Sequence, residues 1–430
     1  MRLRNVISAM ALGAIWVQSP CAAVMAQQFT LPHDMAVNAS TPRSQGTLPD
    51  DIDERLQRMI AGLWPEAQRR GVSRPLFDRA MAGLAPDADV LSRLTAQPEL
   101  ESPPWDYLAR LVTSQRIEAG RRNLALHADT LAEVERRSGV DRHVTVAIWG
   151  VESGYGASTG TRSVIRSLAT LASADPRRSD FWRGELLGAL SILQRGDTTL
   201  ERLTGSWAGA MGHTQFMPSS YLAHGTDFDG DGRRDIWESI PDALASTANY
   251  LRAAGWKPHE PWGFEVSLPA GFDLAAVRDD PKKPMLDWLA LGVSAPAGRT
   301  LPAVGLPLRL ILPAGVRGPV FLVTGNFQAI LRYNNALAYA LAVSHLADRL
   351  RGGEAIAAAW PSDDPPLDRA QRSELQRLLM QLGFNTGGID GIVGTQTRAA
   401  IRLLQSRIGL PPDGYASANL LAKVRHLASP

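Results

Sequence analysis

Residues 147–156 read Ala-Ile-Trp-Gly-Val-Glu-Ser-Gly-Tyr-Gly. Val144, Ile148 and Val151 recur at helical spacing up to the acid, and the two glycines that follow it are typical of a helix end. Glu152 is therefore predicted in the last turn of an apolar helix. Burial and the negative end of the helix dipole both disfavour an ionised carboxyl there. A carboxyl that stays protonated near neutral pH is what a general acid needs.

A glycine-rich segment further along could form a wall opposite this acid. Residues 205–218 read G-S-W-A-G-A-M-G-H-T-Q-F-M-P, and their glycines would let the backbone approach a ligand closely. Ser206 and Gln215 could offer hydrogen bonds to hydroxyl or acetamido groups. A tight helix–helix crossing without a ligand explains the same segment equally well. His213 fits packing or a pocket wall better than a catalytic base. Most of the six tryptophans between residues 149 and 262 are expected in the core, since Trp carries a large apolar area.

Residues 227–238 fit the complete D-x-D-x-D-G-x5-E pattern of a calcium loop. Carboxylates at Asp227, Asp229 and Asp231 can converge on a hard cation. Arg233 would contribute its backbone carbonyl, and Glu238 could close the site. The completeness of the pattern favours calcium over a plain Asp/Gly-rich turn. The loop is single and inside a larger domain, which indicates a structural role more than a sensor role.

The N-terminus has the pattern of an export signal. Residues 1–26 combine a basic start, an apolar stretch from Val6 to Val17 and the small-residue site Val24-Met25-Ala26. The apolar run is too short for a transmembrane span. The chain's one cysteine, Cys21, lies here, and its context favours plain cleavage over lipid anchoring. We therefore expect a periplasmic protein with no cysteine in its mature form, which excludes thiol catalysis.

Charge and composition narrow the function further. Removal of Arg2 and Arg4 with the signal leaves 43 basic against 43 acidic residues, which argues against a nucleic-acid partner. The chain also lacks the H-E-x-x-H and G-x-S-x-G patterns of zinc proteases and serine hydrolases. We expect a monomer without an organic cofactor.

The 430 residues divide into segments of different character. A flexible leader at 27–50 is expected to precede a large, mainly helical unit at 51–350. A linker at 351–366 and a small helical module at 367–427 would follow. Apolar spacing predicts helices at 117–131, 143–152, 185–194, 242–253 and 331–350, short strands at 264–268 and 319–324, and an irregular loop at 295–318.

Together these motifs resemble the lytic murein transglycosylases, specifically the family of the membrane-bound transglycosylase B. The resemblance rests on I-W-G-V-E-S-G-Y-G at 148–156, G-S-W-A-G-A-M-G-H-T-Q-F-M-P-S-S-Y at 205–221, D-F-D-G-D-G at 227–232, A-N-Y at 248–250 and R-Y-N-N at 332–335. Residues 367–427 resemble the small peptidoglycan-binding module through L-Q-R-L-L at 375–379, G-G-I-D-G-I-V-G at 387–394 and T-R-A-A-I at 397–401. The implied fold is mainly α. It comprises a lysozyme-like catalytic domain with a few short strands and an EF-hand-like calcium loop, followed by a three-helix module.

The resemblance implies an activity and a set of site residues. Glycan strands of peptidoglycan would be cleaved at the β-1,4 bond between N-acetylmuramic acid and N-acetylglucosamine, leaving a 1,6-anhydro end. Glu152 would act as the single acid/base, and we interpret Glu185, the nearest other candidate acid, as a helix surface residue. The expected substrate-binding residues are Tyr107, Ser206, Gln215, Tyr250, Tyr333, Asn334 and Tyr339. The family's final calcium ligand matches Asp242, which competes with Glu238.

Two features depart from the family pattern. The chain lacks a good lipid-attachment motif, and its C-terminal module lacks a second G-x-x-T after Asp413. Three other functions stay open at this point. They are a hydrolytic muramidase, a non-catalytic wall-binding protein and a calcium sensor.

Overall fold

The computed structural model describes residues 51–95, 102–274, 281–302 and 305–429. The predicted signal peptide and leader lie outside these ranges. The described helices are α1 (Ile52–Arg69), α2 (Arg74–Met81), α3 (Ala88–Thr95), α4 (Pro104–Leu111), α5 (Ser114–Leu126), α6 (Ala128–Ser138), α7 (Arg142–Ser153), α8 (Val164–Ala174), α9 (Ser179–Arg195), α10 (Pro218–His224), α11 (Ile240–Ala253), α12 (Met285–Ala290), α13 (Gly325–Tyr333), α14 (Leu337–Arg351), α15 (Arg369–Gln381), α16 (Thr395–Arg407) and α17 (Ala418–Ala428). The described strands are β1 (Arg162–Ser163), β2 (Thr204–Gly205), β3 (Gly263–Val266), β4 (Arg309–Ile311), β5 (Pro313–Val316) and β6 (Val320–Val323). The prediction of a mainly helical protein is confirmed.

Two hydrophobic cores lie side by side in the large unit. The first is built around α8 and α9, with α1 and α2 packed against them. The second surrounds α7, which α5, α11 and α14 cover. Tyr333 packs against both cores, so the end of α13 lies where they meet.

Helix α7 is the central element of the second core. Its N-cap is Asp141, whose side chain accepts the backbone N–H of His143 at 2.8 Å, and its C-cap is Gly154, which has a φ of 59°. Nine of its twelve residues are buried, so it is apolar on nearly every side and not only along one stripe. Partners on all sides hold its C-terminal end, and Glu152 with it, in a fixed place.

A small antiparallel sheet of order β3-β6-β4 lies beside the second core. Its register pairs Gly263 with Val323 and Arg309 with Val323 on opposite edges of β6. The irregular loop predicted at 295–318 is therefore wrong in part, because β4 and β5 fall inside it. Proline and glycine hid these strands from the sequence pattern. Strand β4 is fixed by pairing with β6 and by burial of Leu310 in one cluster with Trp288.

Two predicted helices are each interrupted. The segment 117–131 is divided at His127, where φ is −109°. The segment 331–350 is divided at Asn334–Ala336, where Asn334 adopts φ −144° and ψ 118°. Neither break contains proline or glycine, so each is set by tertiary contacts.

Helices α15, α16 and α17 form a separate small core around Leu375, Ile401 and Leu421. This C-terminal module contacts the large unit where Asp413 Oδ2 accepts the backbone N–H of Val316 at 3.0 Å. Within the described ranges, no helix has both the length and the apolar character that a membrane crossing requires.

Candidate active site

Glu152 lies half-buried in the last turn of α7, at the junction of the two cores. The hydroxyl of Tyr339, on α14, donates a hydrogen bond of 2.6 Å to Glu152 Oε1. Tyr339 is fully buried, and α14 packs closely along α7. One oxygen of the carboxyl group is therefore held by a rigid donor.

Tyr339 belongs to a cluster of aromatic rings. The ring of Tyr333 is stacked parallel to it, with centroids 6.4 Å apart and planes at 10°. The Tyr250 ring lies 4.8 Å from that of Tyr333, and Phe216 contacts both. The Tyr333 hydroxyl donates to the Thr214 carbonyl at 2.6 Å, and the Tyr250 hydroxyl donates to the Arg332 carbonyl.

The charge state of these tyrosines follows from their burial. Desolvation raises the pKa of both Tyr333 and Tyr339 well above the usual value, and the negative charge of Glu152 acts in the same direction. Both hydroxyls are therefore neutral donors at physiological pH. The groups whose charges act on Tyr339 are Glu152, Tyr333 and Tyr107, and Glu152 is the one carboxyl among them.

The break between α13 and α14 is what brings this cluster together. Because the chain leaves the helix at Asn334, Tyr333 and Tyr339 reach the same side of α7. Asn334 is buried, and its Oδ1 has no hydrogen-bond partner among the described residues. Tyr107 lies on α4, packs against the second core and has the guanidinium of Arg110 5.3 Å from its ring centroid.

The turn after Glu152 is locked in a conformation that favours glycine. Gly154, Tyr155 and Gly156 have φ values of 59°, 61° and 87°. The Ser153 hydroxyl donates to the His213 carbonyl at 2.9 Å and accepts the N–H of Gly156 at 3.0 Å. A Cβ atom at Gly156 would lie 2.2 Å from the His213 ring. The turn thus connects the acid to the glycine-rich segment.

His213 helps to hold the glycine-rich segment against α7. Its Nδ1 accepts the indole N–H of Trp149 at 2.9 Å, and burial lowers the pKa of the imidazole. The imidazole ring is therefore neutral and hydrogen-bonded to Trp149, which agrees with the expected packing role. The predicted core location of most tryptophans is also observed, since Trp149 and Trp207 are buried.

The glycine-rich segment lies beside the acid, and its two polar candidates differ. The Ser206 side chain is buried, and its hydroxyl oxygen accepts the N–H groups of Ala208 and Ala210, at 3.3 and 3.0 Å. Gln215 is half-buried with a φ of 50°, and its amide donates to the carbonyls of Thr159 and Gly212. Ser206 thus shapes its own loop.

Glu185 is not the surface residue that we predicted. It is 4% exposed and accepts hydrogen bonds from the Ser219 N–H at 2.9 Å and from the Ser219 hydroxyl at 2.6 Å. Burial raises its pKa, and the bonds from Ser219 oppose that rise. Helical spacing missed this because a partner on α10 satisfies the carboxyl. Its role in the structure is to hold α10 against α9.

The acidic loop after α10 brings some of its predicted ligands together. Asp227, Asp229 and Asp242 place carboxylate oxygens within 4.8 Å of one another. Asp242, at the start of α11, is fully buried and accepts the backbone N–H groups of Phe228 at 2.7 Å and Asp235 at 2.8 Å. Among the described residues, these three acids form no salt bridge.

The other predicted ligands have partners of their own. Glu238 is paired with Arg202, and Asp231 pairs with the Arg233 guanidinium at 2.9 Å. Three carboxylates so close together repel one another, and a hard cation with oxygen ligands would offset that repulsion. The donor set therefore suits calcium, and Asp242 belongs to the cluster of acids whereas Glu238 does not.

Comparison with known proteins agrees with this architecture. Residues 55–348 match the model of the transglycosylase SLT domain, and residues 368–424 match that of a putative peptidoglycan binding domain. The chain therefore belongs to the transglycosylase SLT domain family, a family of peptidoglycan-cleaving lyases, and the predicted family is confirmed.

Individual relatives cover much of the chain. It is 33% identical over 265 residues to membrane-bound lytic murein transglycosylase B of Escherichia coli, covering 59% of this chain and 67% of that protein. The crystal structure of SltB3 from Pseudomonas aeruginosa in complex with NAG-anhNAM-pentapeptide is similar, with a TM-score of 0.83 and 49% identity, covering 86% of this chain and 99% of that one. The Escherichia coli transglycosylase Slt35 in complex with calcium matches with a TM-score of 0.57 and 28% identity, over 70% of this chain and 93% of that one.

Proposed function

We propose that this chain cleaves the β-1,4 bond between N-acetylmuramic acid and N-acetylglucosamine in peptidoglycan and leaves a 1,6-anhydromuramyl end. The observation that carries the proposal is the lone carboxyl of Glu152, held through Oε1 by Tyr339 in a cluster of neutral tyrosines. Peptidoglycan fragments bound to the similar SltB3 support the substrate class.

In this mechanism one carboxyl group handles one proton twice. Glu152 first gives its proton to the oxygen of the leaving N-acetylglucosamine, and the glycosidic bond breaks. The muramyl C6 hydroxyl then attacks the anomeric carbon, and the Glu152 carboxylate takes the hydroxyl proton. Water is not consumed, and the acid returns to its starting state. No second protein carboxylate is required, in contrast to most glycosidases.

In this proposal, residues around Glu152 orient the acid and contact the sugar. Tyr339 fixes Oε1 and thereby orients the carboxyl group that exchanges the proton. Tyr333 and Tyr250 keep the Tyr339 ring in place, and Gln215 and Asn334 would offer polar groups to the sugar. Ser206 would act by holding the loop that carries Gln215.

A calcium ion would have a structural role. Asp227, Asp229 and Asp242 would hold it, with the Arg233 carbonyl as a further ligand, in a lysozyme-like domain. A bound cation would neutralise the clustered carboxylates and fix the loop between α10 and α11.

The sequence features suggest the setting of the reaction. We propose that a catalytic unit at 51–350, a linker at 351–366 and a wall-binding module at 367–427 act as a monomer in the periplasm, after export by residues 1–26. The basic start, apolar stretch and small-residue site of residues 1–26 support export.

Substitution of the acid tests the proposal. Glu152→Gln removes the exchangeable proton, so release of soluble fragments from murein should fall by about a thousandfold, within the range of general acid–base catalysis. Glu185→Gln is the matched control. It makes the same chemical change at a carboxyl group on a helix, but that carboxyl bonds Ser219 and not the active-site tyrosines. It should lower the melting temperature and keep the activity of the folded protein. Near-normal activity in Glu152→Gln would remove Glu152 from its role.

A further inference from the structure

The C-terminal module contains the same loop twice. Ile389-Asp390-Gly391-Ile392 lies in the connection between α15 and α16, and Pro412-Asp413-Gly414-Tyr415 lies in the connection between α16 and α17. Gly391 and Gly414 have nearly equal φ values, 74° and 76°. The two loops therefore have the same turn although their lengths and neighbours differ.

Each loop is held by a buried glutamine in the same way. Gln376 Nε2 donates to Asp390 Oδ1 at 2.9 Å, and Gln376 Oε1 accepts the N–H of Gly391 at 2.8 Å. In the second loop the corresponding distances are 2.7 Å, from Gln405 to Asp413, and 2.8 Å, from Gly414 to Gln405.

Each aspartate uses Oδ1 inside its own loop. Asp390 Oδ1 also accepts the N–H of Ile392 at 2.8 Å, and Asp413 Oδ1 accepts the N–H of Tyr415 at 2.9 Å. In both loops this internal bonding leaves the second carboxylate oxygen, Oδ2, for a partner outside the loop.

The second loop shows what such a loop can bind. Asp413 Oδ2 accepts the main-chain N–H of Val316, which ends strand β5. The strand approaches so closely that a Cβ atom at Gly315 would lie 2.4 Å from Asp413 Oδ2 and 3.1 Å from the Tyr415 Cβ. The partner of this loop is thus a main-chain amide of a short segment made of small residues, Pro313–Val316, in which Gly315 has a φ of 66°.

The first loop presents the same face to solvent. Ile389 and Ile392, which correspond to Pro412 and Tyr415, are 52% and 62% exposed. Among the described residues, none donates a hydrogen bond to Asp390 Oδ2. Bonds from Gln376 and Ile392 lower the pKa of Asp390, so it is an anionic acceptor at neutral pH.

We propose that the loop Ile389–Ile392 binds the peptide stem of peptidoglycan, with Asp390 Oδ2 accepting a main-chain amide N–H and the two isoleucines contacting the stem's side chains. The inference rests on the proposed function, since it takes peptidoglycan as the substrate. A stem offers the same donor as Gly315-Val316, a main-chain amide in a short peptide. The ligand solved with the similar SltB3 carries a pentapeptide.

Binding of the full-length chain to purified sacculi tests the proposal. All proteins carry Glu152→Gln so that the sacculi are not digested. Asp390→Asn keeps the Oδ1 that Gln376 and Ile392 require and replaces only Oδ2 by a donor. A second variant, Ile389→Ser with Ile392→Ser, removes the apolar contact. Leu403→Ser is the matched control, because Leu403 is 59% exposed on α16 outside the loop.

The dissociation constant for stem-bearing sacculi should rise about tenfold in Asp390→Asn, as expected for loss of a charge-assisted hydrogen bond. It should rise about tenfold in the double isoleucine variant as well, because apolar area that the stem would bury is lost. Leu403→Ser should bind like the parent. Sacculi stripped of stems by an amidase should bind all four proteins equally weakly. Parent-like affinity in both loop variants would overturn the inference, and so would a difference that persists on stem-free glycan. Absence of any binding by the parent would instead overturn the proposed function as well.

Discussion

The hydrogen bond from Tyr339 to Glu152 can be tested with a pair of matched substitutions. Tyr339→Phe removes one buried hydroxyl that donates to a carboxyl group at 2.6 Å. Tyr333→Phe removes the hydroxyl of the stacked neighbour, which donates at 2.6 Å to the neutral carbonyl of Thr214. Both changes delete one oxygen from the same aromatic cluster, so packing effects are comparable.

The expected magnitudes differ because the acceptors differ. A hydrogen bond to a charged group, which the Glu152 carboxyl becomes as it gives up its proton, contributes about 1.5–3 kcal/mol, whereas one between neutral groups contributes about 0.5–1.5 kcal/mol. If the Tyr339 bond is needed to orient Glu152, its loss should lower kcat by about 10- to 150-fold, at 1.36 kcal/mol per tenfold. Tyr333→Phe does not touch the acid, so its effect should be mainly a lower melting temperature.

Initial rates of soluble-fragment release, measured over a range of murein concentrations, separate the two effects. Tyr339→Phe should lower kcat with little change in KM, because substrate contacts are kept. The melting temperature of each variant, followed by circular dichroism, shows that the compared proteins are folded. A Tyr339→Phe rate close to that of the parent, or an equal loss in Tyr333→Phe, would refute the positioning role.

Three further outcomes are expected. Gly156→Ala should lower the melting temperature by an amount equivalent to about 1–3 kcal/mol, because φ is 87° and the added Cβ meets His213; an unchanged melting temperature would contradict the strain. Calcium at about a hundredfold its Kd should stabilise the parent by about 2.7 kcal/mol, and Asp242→Asn should abolish the effect; a parent indifferent to both calcium and a chelator would exclude the site. Burial raises the pKa of Asp348 from 3.8 to about 6, so the folded state holds this proton more tightly than the unfolded state does. The stability of the parent relative to Asp348→Asn should therefore fall as pH rises from about 4 to 6, and denaturant unfolding with no such trend would contradict this.

The sequence was most informative where local rules and tertiary structure agree. The helix that ends at Glu152 could be predicted, because its apolar spacing and following glycines describe the same element that the core buries. The calcium-loop pattern likewise placed Asp227 and Asp229 together, since their spacing is local.

Tertiary contacts decided the features that spacing missed. The break at Asn334–Ala336 has no local signal, yet it sets the positions of Tyr333 and Tyr339. Only the resemblance pointed to those tyrosines. Glu185 was misplaced because its partner, Ser219, is 34 residues away. A helical pattern cannot reveal that a distant donor satisfies a buried carboxyl.

The chemistry of the product ends tests the central claim most directly. Purified murein digested by the parent enzyme should yield fragments whose muramyl residues end in the 1,6-anhydro form, lighter by one water than reducing ends when analysed by mass spectrometry. That result is predicted by the proposed mechanism, in which Glu152 acts alone and the substrate supplies its own nucleophile. Fragments with ordinary reducing ends would contradict the account and identify a hydrolytic muramidase instead.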